Sequence, residues 1–232
     1  MKKVLVSGCS YTVRQSWPEH LFQGCSVTNK ARGAAGNDFI SFSIFDEIRL
    51  NGKPDFVFIL WTGVRRREAY FPKETKDLVF KEDLHGPTND GIAVFSGGNF
   101  FKYKGKITPS YHPDVEKFFK LQYSSNNEKF LVEQSTQKIV ACHSFLESQG
   151  IDYRFSFVYN IFSNDFDWAP ALGSAIPKSG GYLDFLNWDK YIDITPFEYG
   201  IKNNLIAADN MHLTHDGMNS WADEISIQLP KF

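Results

Sequence analysis

The chain opens on a short apolar run, Val4 to Val6, that stops at Ser7-Gly8. That is the pattern of a buried strand delivered into a tight turn. Between Asp38 and Leu50, Phe39, Ile40, Phe42, Ile44, Phe45, Ile48 and Leu50 recur on a broadly helical period, with Asn37 or Asp38 as N-cap and Asn51-Gly52 as the stop. Phe56 to Trp61 is continuously apolar and of strand length. An unbroken run of this kind is expected where helices cover both faces of a parallel sheet.

From about 70 to 112 the periodicity gives way to charged and Gly-rich sequence, including Gly86-Pro87 and Ser96-Gly97-Gly98, with an alternating stretch over Phe101 to Lys106 that suggests a hairpin. Helical spacing returns from Glu128 to Gln149 through Phe130, Leu131, Ile139, Cys142, Phe145 and Leu146, and Gly150 closes it. A strand is expected over Ile151 to Val158, a second loop insertion over about 160 to 189, a short strand at Tyr191 to Ile194, and a closing amphipathic helix from Asp216, as its cap, to Leu229. Strands alternating with helices predict an α/β fold with a mostly parallel sheet and right-handed crossovers. At 232 residues this is one domain, 1–232, carrying two insertions. In such sheets reactive groups gather beyond the carboxyl ends of the strands, here after Val6, after Trp61 and before the last helix.

Composition narrows the function classes. A hydrophobic share of 42% and a charged share of 22% fit a globular chain rather than a disordered one. The 22 phenylalanines are read first as an aromatic core and second as a surface that faces sugar or a partner. A formal charge of −2 gives no electrostatic reason to expect nucleic acid. Cys9, Cys25 and Cys142 show no paired spacing, which fits a reducing compartment. The amino-terminal apolar run is too short for a signal core and no stretch has the length of a membrane span, so a cytoplasmic protein with no membrane partner is expected. His20, His85, His112 and His143 lack metal-ligand spacing, and no metal or other cofactor is expected.

Chemistry is concentrated at the two ends of the chain. Gly8-Cys9-Ser10-Tyr11-Thr12 places a serine in a glycine-entered turn after the first strand, where a hydroxyl can reach both a carbonyl and a base. Asp209-Asn210-Met211-His212 precedes the closing helix. Three-residue spacing in a turn lets the carboxylate accept from one imidazole nitrogen while the other faces a serine hydroxyl. Between them, Gly33-Ala34-Ala35-Gly36-Asn37-Asp38 is a small-residue loop entering a helix, a source of N–H groups for a developing oxyanion. It lacks the Gly-x-Gly-x-x-Gly spacing and the Gly-Lys-Ser/Thr ending, which argues against a nucleotide or flavin loop.

Gly8-Cys9-Ser10-Tyr11-Thr12 resembles the Gly-Asp-Ser-x-Thr block of the SGNH (GDSL) hydrolases, Gly36-Asn37 resembles their glycine block, and Asp209-x-x-His212 resembles their last block, all in the family's order. The resemblance implies a flavodoxin-like three-layer α/β/α fold and metal-free hydrolysis of acyl esters or deacetylation of sugars. It further implies Ser10, His212 and Asp209 as the triad, and an oxyanion hole of the Ser10 N–H, the Gly36 N–H and an Asn side chain. The sequence departs from the family in its third block, where Gly-x-Asn-Asp is replaced by Trp61-Thr62-Gly63-Val64-Arg65-Arg66-Arg67-Glu68. Asn37, Thr62 or Arg65 is then left to supply the third donor. Arg65 is also positioned to clamp an anionic group on a substrate, against a plainer reading of the cluster as a solvated loop. The expected activity is hydrolysis of a short acyl ester, acetyl foremost, on a small molecule or carbohydrate. An acyltransferase and a catalytically idle carbohydrate- or protein-binding member are the alternatives.

Overall fold

A computed structural model describes residues 1–13, 16–33, 35–64, 66–70, 92–95, 102–103, 106–107, 117, 121, 128–163, 175–209 and 212–231. In chain order these form β1 (Lys3–Ser7), α1 (Ser10–Val13), α2 (Trp17–Leu21), β2 (Ser26–Asn29), α3 (Asn37–Asn51) and β3 (Phe56–Trp61). Two antiparallel pairs follow, β4 (Arg67–Tyr70) with β5 (Ile92–Phe95) and β6 (Lys102–Tyr103) with β7 (Lys106–Ile107). Then come α4 (Glu128–Ser148), β8 (Asp152–Phe157), α5 (Pro196–Lys202) and α6 (His215–Ser226), with 3₁₀ turns at Gly181–Phe185 and Trp188–Lys190 before α5.

The central sheet runs β2-β1-β3-β8 with every pair parallel. A bridge from Phe155 to Tyr191 adds a fifth position in the same direction, closed by the Ile192 N–H donating to the Phe155 carbonyl at 2.8 Å. This is the doubly wound flavodoxin-like order, whose switch point lies between β1 and β3. Every residue of β3 is buried, because its two faces meet different layers. Phe58 packs on Trp17 and Trp221 from α2 and α6, while Trp61 on the opposite face meets His143 of α4. The phenylalanines of the strands thus serve first as core, each fully buried ring contributing about 1.5–3 kcal/mol by area.

The antiparallel β6–β7 pair occupies the alternating stretch for which a hairpin is expected; most of the 70–112 insertion, and residues 164–174 of the second, lie outside the described residues. Gly150 ends α4 at φ 66°, with the Ile151 N–H donating to the Leu146 carbonyl at 3.0 Å, the left-handed cap its sequence predicts. Other boundaries differ. Gly36, not Asn37 or Asp38, is the N-cap of α3, because Asn37 turns inward. Thr214, not Asp216, caps α6 by accepting from the Gly217 N–H at 3.0 Å. The strand expected at Tyr191 to Ile194 is reduced to the single bridge at Tyr191.

His143 is a charge-capable group inside the core. Its ring lies 4.9 Å from that of Tyr153 and 4.4 Å from that of Phe155, and its Nε2 accepts from the Trp61 indole at 3.1 Å. Burial pushes its pKa from the ordinary 6.5 down to about 3. The folded protein therefore excludes a proton that the unfolded chain binds below about pH 6.5. The stability His143 allows is complete above that pH and falls by about 1.4 kcal/mol per unit as the pH drops toward the folded value. Urea titrations at a series of pH values should show this slope in the wild type, and His143→Gln, which keeps an acceptor for Trp61, should be flatter by about one proton between roughly pH 4 and 6.

Candidate active site

The serine is delivered by the turn that ends β1. Cys9 is fully buried and its carbonyl accepts from the N–H groups of Thr12 and Val13 at 2.9 and 3.1 Å, which winds residues 10–13 into α1 and leaves Ser10 at its first position, partly exposed. Gly8 is required here: a Cβ would collide with the Thr12 side chain and crowd the Leu60 carbonyl of β3. The Gly-x-x-x-Thr spacing is thus a packing device that sets the serine over the end of the sheet.

The histidine arrives from the other end of the chain on a small antiparallel turn. Ile206 bridges Leu213, the Ala207 N–H donates to the His212 carbonyl at 2.7 Å, and the Thr214 N–H donates to the Leu205 carbonyl at 2.8 Å. Gly200 of α5 lies against Leu213 and Ile206 so closely that a side chain there would displace them. Asp209 holds the ring twice over, accepting from the His212 backbone N–H through Oδ1 at 2.9 Å and facing Nδ1 through Oδ2 at 2.7 Å. A carboxylate on Nδ1 keeps the proton there, so the Nε2 lone pair faces Ser10 Oγ at 2.8 Å. The three sequence-predicted residues are therefore joined in one hydrogen-bonded chain. His215 stands apart, its Nε2 3.0 Å from Ser16 Oγ.

The glycine loop is tied to the same place. The Arg32 N–H donates to the Gly8 carbonyl at 3.1 Å, the Ala35 N–H to the Arg32 carbonyl at 3.2 Å, and Gly36 follows, buried, as the N-cap of α3. Arg66 completes the clamp, its guanidinium donating to the Ala35 carbonyl at 2.9 Å. Of the candidates for a third oxyanion donor, Asn37 is committed elsewhere. Its Nδ2 donates to the Thr62 carbonyl at 3.2 Å and to Ser135 Oγ at 2.9 Å, and its Oδ1 accepts from the Thr62 N–H at 3.0 Å. Both amide hydrogens are used, so that expectation is corrected: Asn37 fastens α3 to the end of β3 and to α4. Thr62 is fully buried, with no hydrogen-bond partner for Oγ1 among the described residues. Arg65 lies outside the described residues.

Tyr11 is a site residue that sequence reasoning did not single out. Its ring lies 5.0 Å from that of His212, and the peptide carbonyl behind it accepts from the Trp17 indole at 2.9 Å. Burial pushes its phenol well above the usual range, with Cys9, Glu198 and Asp209 acting in the same direction and Arg66 against it, so it stays protonated beside the imidazole. The signal was its place next to Ser10. Arg66 was visible only as one member of an arginine cluster, and nothing in the sequence distinguished it. Among the described residues no group of three His, Cys, Asp or Glu could hold a metal ion, and no helix is long and apolar enough to cross a membrane.

No family model and no curated protein sequence matches the chain. Solved structures do. The chain superposes on the psychrotrophic esterase EstA of a Pseudoalteromonas species with a TM-score of 0.52 at 10% identity, covering 98% of this chain and 96% of that one. A member of the lipolytic G-D-S-L family from Veillonella parvula is matched at a TM-score of 0.49 and 10% identity, over 98% and 99% of the two chains. At such identities the first of these likenesses fixes the fold and nothing finer.

Two substitutions test the scaffold around the site. Asn37→Ala strips partners from buried groups on β3 and α4 and should lower the unfolding free energy in urea by about 2–4 kcal/mol. Arg66→Ala touches a half-buried clamp instead; it should cost less than about 1.5 kcal/mol of stability and show its effect in the conformation of the Gly33–Gly36 loop, read by amide exchange.

Proposed function

Given that the chain has the SGNH hydrolase fold, we propose that it is a serine ester hydrolase whose nucleophile is Ser10, whose base is His212 and whose orienting carboxylate is Asp209. The observation that carries this reading is the continuous chain from Ser10 Oγ to His212 Nε2 at 2.8 Å and from His212 Nδ1 to Asp209 Oδ2 at 2.7 Å. As Ser10 attacks an ester carbonyl, His212 takes its proton, and Asp209 stabilises the imidazolium that forms. The oxyanion rests on the N–H groups of Ser10 and Gly36, the second presented by a loop that Arg66 holds. Collapse expels the alcohol, which takes the proton from His212. Water, deprotonated by the same imidazole, then attacks the acyl-serine and releases the acid.

The substrate class we propose is a short acyl ester, acetyl foremost, on a carbohydrate, carried over from the family resemblance of the sequence blocks. The loss of the family's Asn from the third block is consistent with a slow or narrowly specialised enzyme, since one missing oxyanion donor typically costs about 10²–10³ in rate.

The test is hydrolysis of p-nitrophenyl acetate and butyrate. Ser10→Ala and His212→Ala should each lose more than about 10²-fold, acetate should be the better substrate, and folding should be unchanged by circular dichroism. Wild type and both variants equally slow would overturn the hydrolase reading in favour of a binding protein, and transfer of acetyl to an added sugar in preference to water would make the same acyl-enzyme a transferase.

A further inference from the structure

Beyond β8, three aromatic side chains enclose a cation. The rings of Phe162, Trp188 and Tyr191 stand nearly perpendicular to one another, at centroid distances of 5.7 Å (Phe162 to Trp188), 5.5 Å (Trp188 to Tyr191) and 6.4 Å (Phe162 to Tyr191) and interplanar angles of 70°, 85° and 89°. They form three walls of a corner. The Lys178 ammonium lies over all three, 5.0 Å from Trp188, 5.0 Å from Tyr191 and 5.9 Å from Phe162. Phe155 and Phe157, both fully buried, back the Tyr191 ring at 5.3 and 6.0 Å, so the walls rest on the core.

We propose that this corner is a binding site for a quaternary or N-methylated ammonium group on a soluble small molecule, and that Lys178 is its displaceable cap. Ring faces attract cations through their quadrupole, and several faces around one site suit a cation that loses little on leaving water. A primary ammonium is strongly hydrated and gains least from such a site. Lys178 is also exposed, on a short segment fixed at either end by the Ile176 N–H donating to the Ile161 carbonyl at 3.0 Å and the Gly180 N–H donating to Asp184 Oδ1 at 2.7 Å, so its long side chain can leave the rings without the backbone moving. Negative charge lies near the corner: the Tyr191 phenol, raised first by burial, is raised further by the carboxylates of Asp193 and Glu198. Tyr191 stands three strand positions from β1 in the sheet, roughly 14 Å at ordinary spacing, and the proposal does not depend on the hydrolase reading.

Titration of the full chain with tetramethylammonium chloride, followed by ligand-methyl NMR line broadening at constant ionic strength, tests this. Saturable binding in the millimolar range is expected for the wild type. Lys178→Ala should tighten it by about three- to tenfold, because a cap that fills the corner most of the time lowers apparent affinity by that fraction. Guanidinium and ammonium should not compete at equal concentration, Trp188→Leu should abolish binding while keeping its circular dichroism spectrum, and Ser10→Ala should bind as wild type. No saturation up to about 50 mM in either the wild type or Lys178→Ala, or identical binding to both, would overturn the proposal, and neither outcome depends on the Trp188 variant folding.

Discussion

Phe56–Trp61 has no face turned to water, and much of the molecule follows from that constraint. A strand buried on both sides needs a helical layer on each, and right-handed crossovers that supply those layers make its neighbours parallel. Parallel strands end together. The turns after β1 and β3 therefore open at one edge, and the Gly8 turn is pressed against the Leu60 carbonyl there. Ser10, the Gly36 loop and Thr62 meet at the switch point because the core leaves them no other place.

What the sheet does not provide is the imidazole that faces Ser10, and the chain supplies it from 202 residues away. His212 is fixed by local devices: the turn that bridges Ile206 to Leu213, the double grip of Asp209, and the Tyr11 ring beside it. Each restricts a different freedom of the imidazole, its position, its rotation with its tautomer, and its tilt. Arg66 and Asn37 do comparable work for the glycine loop, one holding the Ala35 carbonyl and the other joining α3 to β3. Two polar side chains are thus committed to keeping that loop in place.

Elements buried on a simple period were legible in the sequence. The runs at β1 and β3 and the helix ended by Gly150 fall where periodicity puts them, and Ser10, Asp209 and His212, singled out by their spacing, lie within hydrogen-bond reach of one another. β2 did not show, because an edge strand reading Ser26-Val27-Thr28-Asn29 buries little and has no apolar period to display. α2 and α5 are too short for two helical turns of pattern and are held by packing, as Trp17 is by Trp221. Asn37 was misread as a cap because a polar residue at a helix start has two uses, and only tertiary structure shows that its amide turns inward. Arg66 and Lys178 were invisible for a related reason: their partners, Ala35 and a corner of three rings, are distant in sequence.

The central claim is that Ser10 is a nucleophile made reactive by His212. Incubation with a fluorophosphonate probe, followed by peptide mass spectrometry, tests it without any knowledge of the natural ester. The account predicts one phosphonylated residue, Ser10, with labelling slowed by more than about 10²-fold in His212→Ala. Labelling elsewhere, or none in a folded wild-type protein, would contradict it.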